Sequence, residues 1–140
     1  MKIILATDSY RPHCLTPEAW PPSCLHAWEE ARRPAELFDL PRPAAQWRTA
    51  TVKKVCKGFG VYLHWLKWRG LLTDDAELDD LVCVGRAREF QNALVQAGCA
   101  PLTVFNRIQE LHLMMGAIAP QGHWSWLGHG AKRLRHRAHT

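Results

Sequence analysis

The sequence predicts an all-α protein, a small bundle of four to five helices preceded by an irregular, proline-rich lead-in. Three observations predict it. Apolar residues recur at three- and four-residue steps in long segments after residue 48. Glycine or proline closes each of those segments. No internal repeat, low-complexity tract or alternating run with a hairpin turn interrupts the pattern.

Residues 1–46 form the lead-in, where prolines at 12, 17, 21, 22, 34, 41 and 43 repeatedly interrupt any helix. Its opening, Met1 to Ser9, is similar to the first strand of a nucleotide-binding α/β domain. No second strand and no glycine-rich turn follow, so that strand is a decoy. The best helix in the lead-in runs from Pro22 to Arg33, with Leu25, Trp28 and the stem of Arg32 on one face before Pro34 ends it.

From Thr49, placed to cap a helix, the apolar residues Val52, Val55, Cys56, Phe59, Leu63 and Leu66 keep helical spacing until Gly70. An acidic loop over 73–80 follows. The next helix spans Val84 to Ala97, with Ala87, Phe90, Leu94 and Ala97 inward and Gly98 as its stop. Pro101 opens a third helix whose inner residues are Val104, Ile108, Leu111, Met115 and Ile118. A fourth begins near His123 and buries Trp124, Leu127, Ala131 and Leu134. The domain boundaries are therefore 1–46 for the lead-in, 47–131 for the helical domain and 132–140 for a basic tail.

A chain of 140 residues fits one domain, with 47% apolar and 22% charged residues. No apolar run approaches the ~18–20 residues of a membrane span, and Ile3 to Ala6 is too short for a signal peptide, which predicts a protein of the cell interior with no membrane partner. The five cysteines are odd in number and contain no Cys-x-x-Cys pair, so free, mostly buried thiols are expected. None of the eight histidines sits beside a cysteine at ligand spacing, so neither a metal nor another cofactor is expected.

The net charge of +5 is unevenly placed. Residues 101–140 hold five basic side chains against one acidic, whereas the first hundred residues are nearly balanced. Lys53, Lys54 and Lys57 gather at a helix start, where the helix dipole does not favour cations, so phosphate contact is one reason for them and a solvated face the other. On the third helix Thr103, Asn106, Arg107 and Glu110 fall opposite the apolar stripe and offer donors and acceptors suited to base edges. An ordinary Arg107–Glu110 pair is the alternative. In the tail, Lys132, Arg133, Arg135 and Arg137 surround a single inward Leu134 and suit a backbone-tracking arm. The seven tryptophans are expected in the core, although Trp124 and Trp126 cannot both face it, which leaves one for a partner surface.

The stretch from Trp47 to Arg137 resembles the N-terminal core-binding domain of tyrosine recombinases, the phage-integrase family, a SAM-like helical bundle. Four elements carry the resemblance in order. They are the helix Thr51–Gly70 with its Gly-Phe-Gly-Val-Tyr-Leu-His-Trp-Leu centre, the acidic loop with the Phe90–Leu94 helix, the Pro101-Leu102-Thr103-Val104 to Leu111 helix, and the Ala119-Pro120 to Trp124-Ser125-Trp126-Leu127 end.

The resemblance implies a module that clamps double-stranded DNA, in contact with other recombinase subunits, in the nucleoid of a bacterial cytoplasm. The family's chemistry resides in a separate C-terminal domain built on two arginines, a lysine, histidines and a nucleophilic tyrosine. No histidine here is followed three residues later by arginine, and the two tyrosines, Tyr10 and Tyr62, lie in the lead-in and in the first long helix. The chain is thus expected to be no enzyme, and truncated relative to the family. The expected DNA contacts are Lys53, Lys54, Lys57, Thr103, Asn106, Arg107, Lys132, Arg133, Arg135 and Arg137. The alternatives are a helical protein-interaction module and a non-functional integrase remnant.

Overall fold

A computed structural model describes residues 9–138. Among them the protein is all helical: α1 (Pro22–Arg32), α2 (Thr49–Trp68), α3 (Val84–Gln96), α4 (Pro101–Ile118) and α5 (Ser125–Ala138), with short 3-10 turns at Pro17–Ala19, Pro43–Gln46 and Leu78–Asp80. The decoy strand falls almost wholly on residues 1–8 and so lies outside the described residues.

The helix limits follow local chemistry. Proline opens α1 and α4 in their first turn, where its missing N–H is no loss. Gly70 and Gly98 adopt positive φ just past α2 and α3 and let the chain turn back. Thr49 does not cap α2 as expected. It is the first helical residue, and Arg48 occupies the cap position without a capping side chain. The Cys83 sulfur instead caps α3, accepting from the Arg86 N–H. All five cysteines are free, but only Cys24 is buried, not most of them as expected; Cys83 is exposed and the other three are half-buried.

α4 is the hub, packed chiefly between α5 and α2 and touching α1 and α3 as well. α2 is enclosed along its second half, where Gly58 to Leu63, Trp65 and Leu66 are all buried. One aromatic cluster fills the centre. The Phe90 ring from α3 stands edge-on to Tyr62 at 5.1 Å and lies 5.5 Å from Trp65. Tyr62 is a packing residue whose hydroxyl donates to the Leu81 carbonyl.

The lead-in completes this enclosure from Tyr10 onward. Tyr10, Trp20, Cys24, Trp28 and Ala31 join the core, and Trp20 meets the Phe59 ring edge-on at 5.1 Å. Its backbone crosses α2 at Gly60, where the Leu15 N–H donates to the Gly60 carbonyl at 3.1 Å. A Cβ at position 60 would stand 2.3 Å from the Leu15 oxygen. That close approach explains a glycine in the middle of a helix, where it otherwise costs about 1 kcal/mol against alanine.

Four of the seven tryptophans, Trp20, Trp28, Trp65 and Trp124, are buried. Trp124 precedes α5 and donates from its ring nitrogen to the Ala119 carbonyl, and Trp126, half-buried, also packs against the core, so the two are not divided between core and surface as expected. Among the described residues no helix is long and apolar enough to cross a membrane.

Candidate nucleic-acid interface

The basic side chains divide by pairing. Arg33, Arg42, Arg69 and Arg107 hold Glu30, Asp39, Glu89 and Glu110. Arg32 donates to the Ala44 carbonyl and Arg86 to those of Asp80 and Leu81. These arginines fasten the fold. Lys53, Lys54, Lys57, Lys132, Arg133 and Arg135 are exposed and make no hydrogen bond or salt bridge among the described residues. Arg137 is exposed on the same helix as the last three.

Glu110 organises the α2 side. Expected on the outer face of α4, it is buried, because α2 covers that side of the helix at Gly58. A Cβ on Gly58 would lie 2.4 Å from the Glu110 Cβ, so glycine is what permits the approach. Burial pushes the Glu110 carboxyl above the usual carboxylate range, opposed by Arg107 and, more weakly, by Lys54 and Lys57. Arg107 closes on Glu110 with only 15% of its side chain exposed. The structure therefore gathers Lys54, Lys57 and Arg107 around one carboxylate and turns Arg107 away from solvent. Lys53 lies about 140° around α2 from Gly58 and is not part of that cluster.

The α5 side is organised by a second close contact. Gly128 lies against the His112 ring, where a Cβ would stand 2.8 Å from the imidazole. Burial and then His129 lower the His112 pKa. Positions 110 and 112 are about 200° apart around α4, so α2 and α5 occupy opposite flanks of it. The helical spacing places Lys132 one turn beyond Gly128 on the same side of α5, with Arg135 beside it. Arg133 and Arg137 turn instead toward α3, where they border a groove with Arg88.

What α4 leaves to solvent between the two flanks is Leu102 and Asn106, both exposed, with Gln109 half-buried beside them, while Leu113 on the same side packs against the core. Thr103 is half-buried beside the α2 flank. Asn106 is thus the predicted base-reading residue that stands free. Gln109 was not anticipated, although its spacing of three from Asn106 was a signal for it.

Among the described residues no group of three or more histidine, cysteine or acidic side chains is placed to hold a metal ion. No protein-family model matches the chain, and no curated protein or solved structure is significantly similar to it.

Proposed function

We propose that this protein is a DNA-binding module of the kind that tyrosine recombinases use as a core-binding domain, gripping duplex DNA without strand-exchange chemistry. One observation carries the proposal: the solvent-facing stripe of α4 is bordered by exposed cations on both flanks. Lys54 and Lys57 stand along α2, and Lys132 and Arg135 along α5. Interaxial distances of ~8–10 Å for packed helices separate the two flanking axes by roughly 16–20 Å. Long side chains from both can then meet phosphates on either side of a major groove about 12 Å wide. Asn106 and Gln109 point into that groove, and such amides pair with adenine edges. The phosphates are met by Lys53, Lys54, Lys57, Lys132 and Arg135, and Thr103 lies at the groove edge, whereas Arg133 and Arg137, turned toward α3, take no phosphate in this arrangement. Arg107 serves by holding Glu110, whose charge would otherwise weaken the field of Lys54 and Lys57.

The test is a titration into labelled duplex DNA at two salt concentrations, with double-stranded RNA of equal length as competitor. Binding should be salt-sensitive and favour DNA. Changing Lys53, Lys54 and Lys57 together to alanine should weaken binding to every sequence and flatten the log–log salt slope by about 0.9 for each phosphate no longer neutralised. Asn106→Ala with Gln109→Ala should relax sequence preference instead. Salt-insensitive binding, or an unchanged slope in the lysine variant, refutes the proposal.

A further inference from the structure

The largest apolar exposures in the described chain occur together. Leu37, Phe38 and Leu40 are 87%, 95% and 75% exposed, within four residues of the loop between α1 and α2. Single exposed apolar residues are ordinary, but three at one loop tip mark a contact surface. This tip is also held in shape. The Glu36 N–H donates to the Asp39 carboxylate at 3.0 Å, the Asp39 N–H returns to the Glu36 carbonyl at 3.0 Å, and Arg42 donates to the Pro34 carbonyl at 3.2 Å. A loop ordered in advance loses little entropy on docking. Asp39 is occupied by these contacts and by Arg42 at 3.6 Å, which leaves Glu36 as the acid offered outward.

The same chain carries a matching receptor. Between α3 and α5 lies an open groove of about 320 Å³, floored by Val84, Ala87, Ile108 and Trp126. Val84 is half exposed there, at 52%. Arg88 and Arg133 border the groove, and among the described residues no acidic side chain lines it. An apolar tip beside a glutamate fits an apolar floor beside two arginines.

Loop and groove cannot meet within one molecule. The loop borders a cleft at the C-terminal end of α4, around Gly116 to Pro120, whereas the groove lies over Ile108. Ten residues of helix place these about 15 Å apart along α4. We infer that the Leu37–Leu40 loop of one molecule docks in the α3–α5 groove of a second copy, joining molecules head to tail. The two surfaces differ, so the contact is heterologous and can extend beyond a pair. This inference stands independently of DNA binding.

Two variants separate the halves of the contact without disturbing the fold. Phe38→Asp changes a side chain that touches almost nothing. Gly130→Leu fills the groove from a helical position where an added Cβ meets no atom within 4 Å. Sedimentation velocity over a concentration series should show the wild type associating, and each variant weakened about thirtyfold or more, as expected for loss of a central aromatic anchor. Mixed, the Phe38→Asp chain supplies only a groove and the Gly130→Leu chain only a loop. The mixture should form a one-to-one pair and nothing larger. Glu36→Lys should weaken association, and Arg88→Glu in the second chain should restore part of it. A wild type that is monomeric throughout, a Gly130→Leu chain that associates like the wild type, or a mixture that fails to pair each overturns the inference, and the first of these assigns the loop to a different partner.

Discussion

Replacing Gly60 by alanine sets two effects of opposite sign against each other. In a helix interior the exchange favours folding by about 1 kcal/mol, because alanine loses less backbone freedom. At this position the new Cβ would stand 2.3 Å from the Leu15 carbonyl oxygen and 2.7 Å from the Cys14 sulfur. The nearer obstacle is backbone, which has no rotamer with which to yield. Overpacking of this kind costs about 1–3 kcal/mol, and losing the 3.1 Å hydrogen bond from Leu15 to Gly60 costs about 1 more. Once the propensity gain is subtracted, Gly60→Ala should destabilise the protein by about 2 kcal/mol, or lower its Tm by roughly 7 °C at this chain length. Urea denaturation followed by tryptophan fluorescence measures it. Trp20 reports on the crossing directly, because its ring nitrogen donates to Leu15 at 2.9 Å. The control is Gly116→Ala on α4, which meets no atom within 4 Å and should stabilise by up to about 1 kcal/mol. If Gly60→Ala gains stability as the control does, helix propensity outweighs the crossing and the account of the lead-in fails.

Two further expectations come from the flanks of α4. Arg107→Ala should cost about 2 kcal/mol by stranding the Glu110 carboxylate, and adding Glu110→Gln should recover most of it; a neutral Arg107→Ala would make the arginine an ordinary surface residue. His64 and His112 both have pKa values lowered first by burial, with His13 and then Lys67 adding to the effect at His64, and His129 at His112. The fold therefore prefers both rings neutral. Their contribution is complete above the ordinary histidine pKa of about 6.5 and is lost as pH falls below it toward the depressed values. The urea midpoint should fall between about pH 7 and pH 5, and it should fall less in a His64→Gln, His112→Gln variant. Glu110, with its raised pKa, acts in the opposite sense, losing stability as pH rises through that value. An equal fall in the variant and the wild type would mean that the two rings titrate as in an unfolded chain.

Most of the helical framework was legible in the sequence, since it depends on local chemistry. Proline at Pro101 and glycine at Gly98 bracket their helices wherever the rest of the chain lies. The apolar spacing of Val55, Phe59, Leu63 and Leu66 names an inner face by geometry alone. The lysines at 53, 54 and 57 could be placed outside for the same reason. What the sequence left open is which flank of each helix another element would cover. The Thr103, Asn106, Arg107 and Glu110 face looked free because it lies opposite the apolar stripe. α4, however, is packed on two flanks, so Glu110 is buried against Gly58 and Arg107 is drawn onto it. Residue spacing cannot reveal that, because the deciding contact joins positions 52 residues apart. The roles of Gly58, Gly60 and Gly128 were hidden for a related reason, since a missing Cβ matters only when a specific distant atom takes its place. Local periodicity thus determined the helices and their apolar faces, and the tertiary packing decided which cations are fastened to acids and which remain available to a partner.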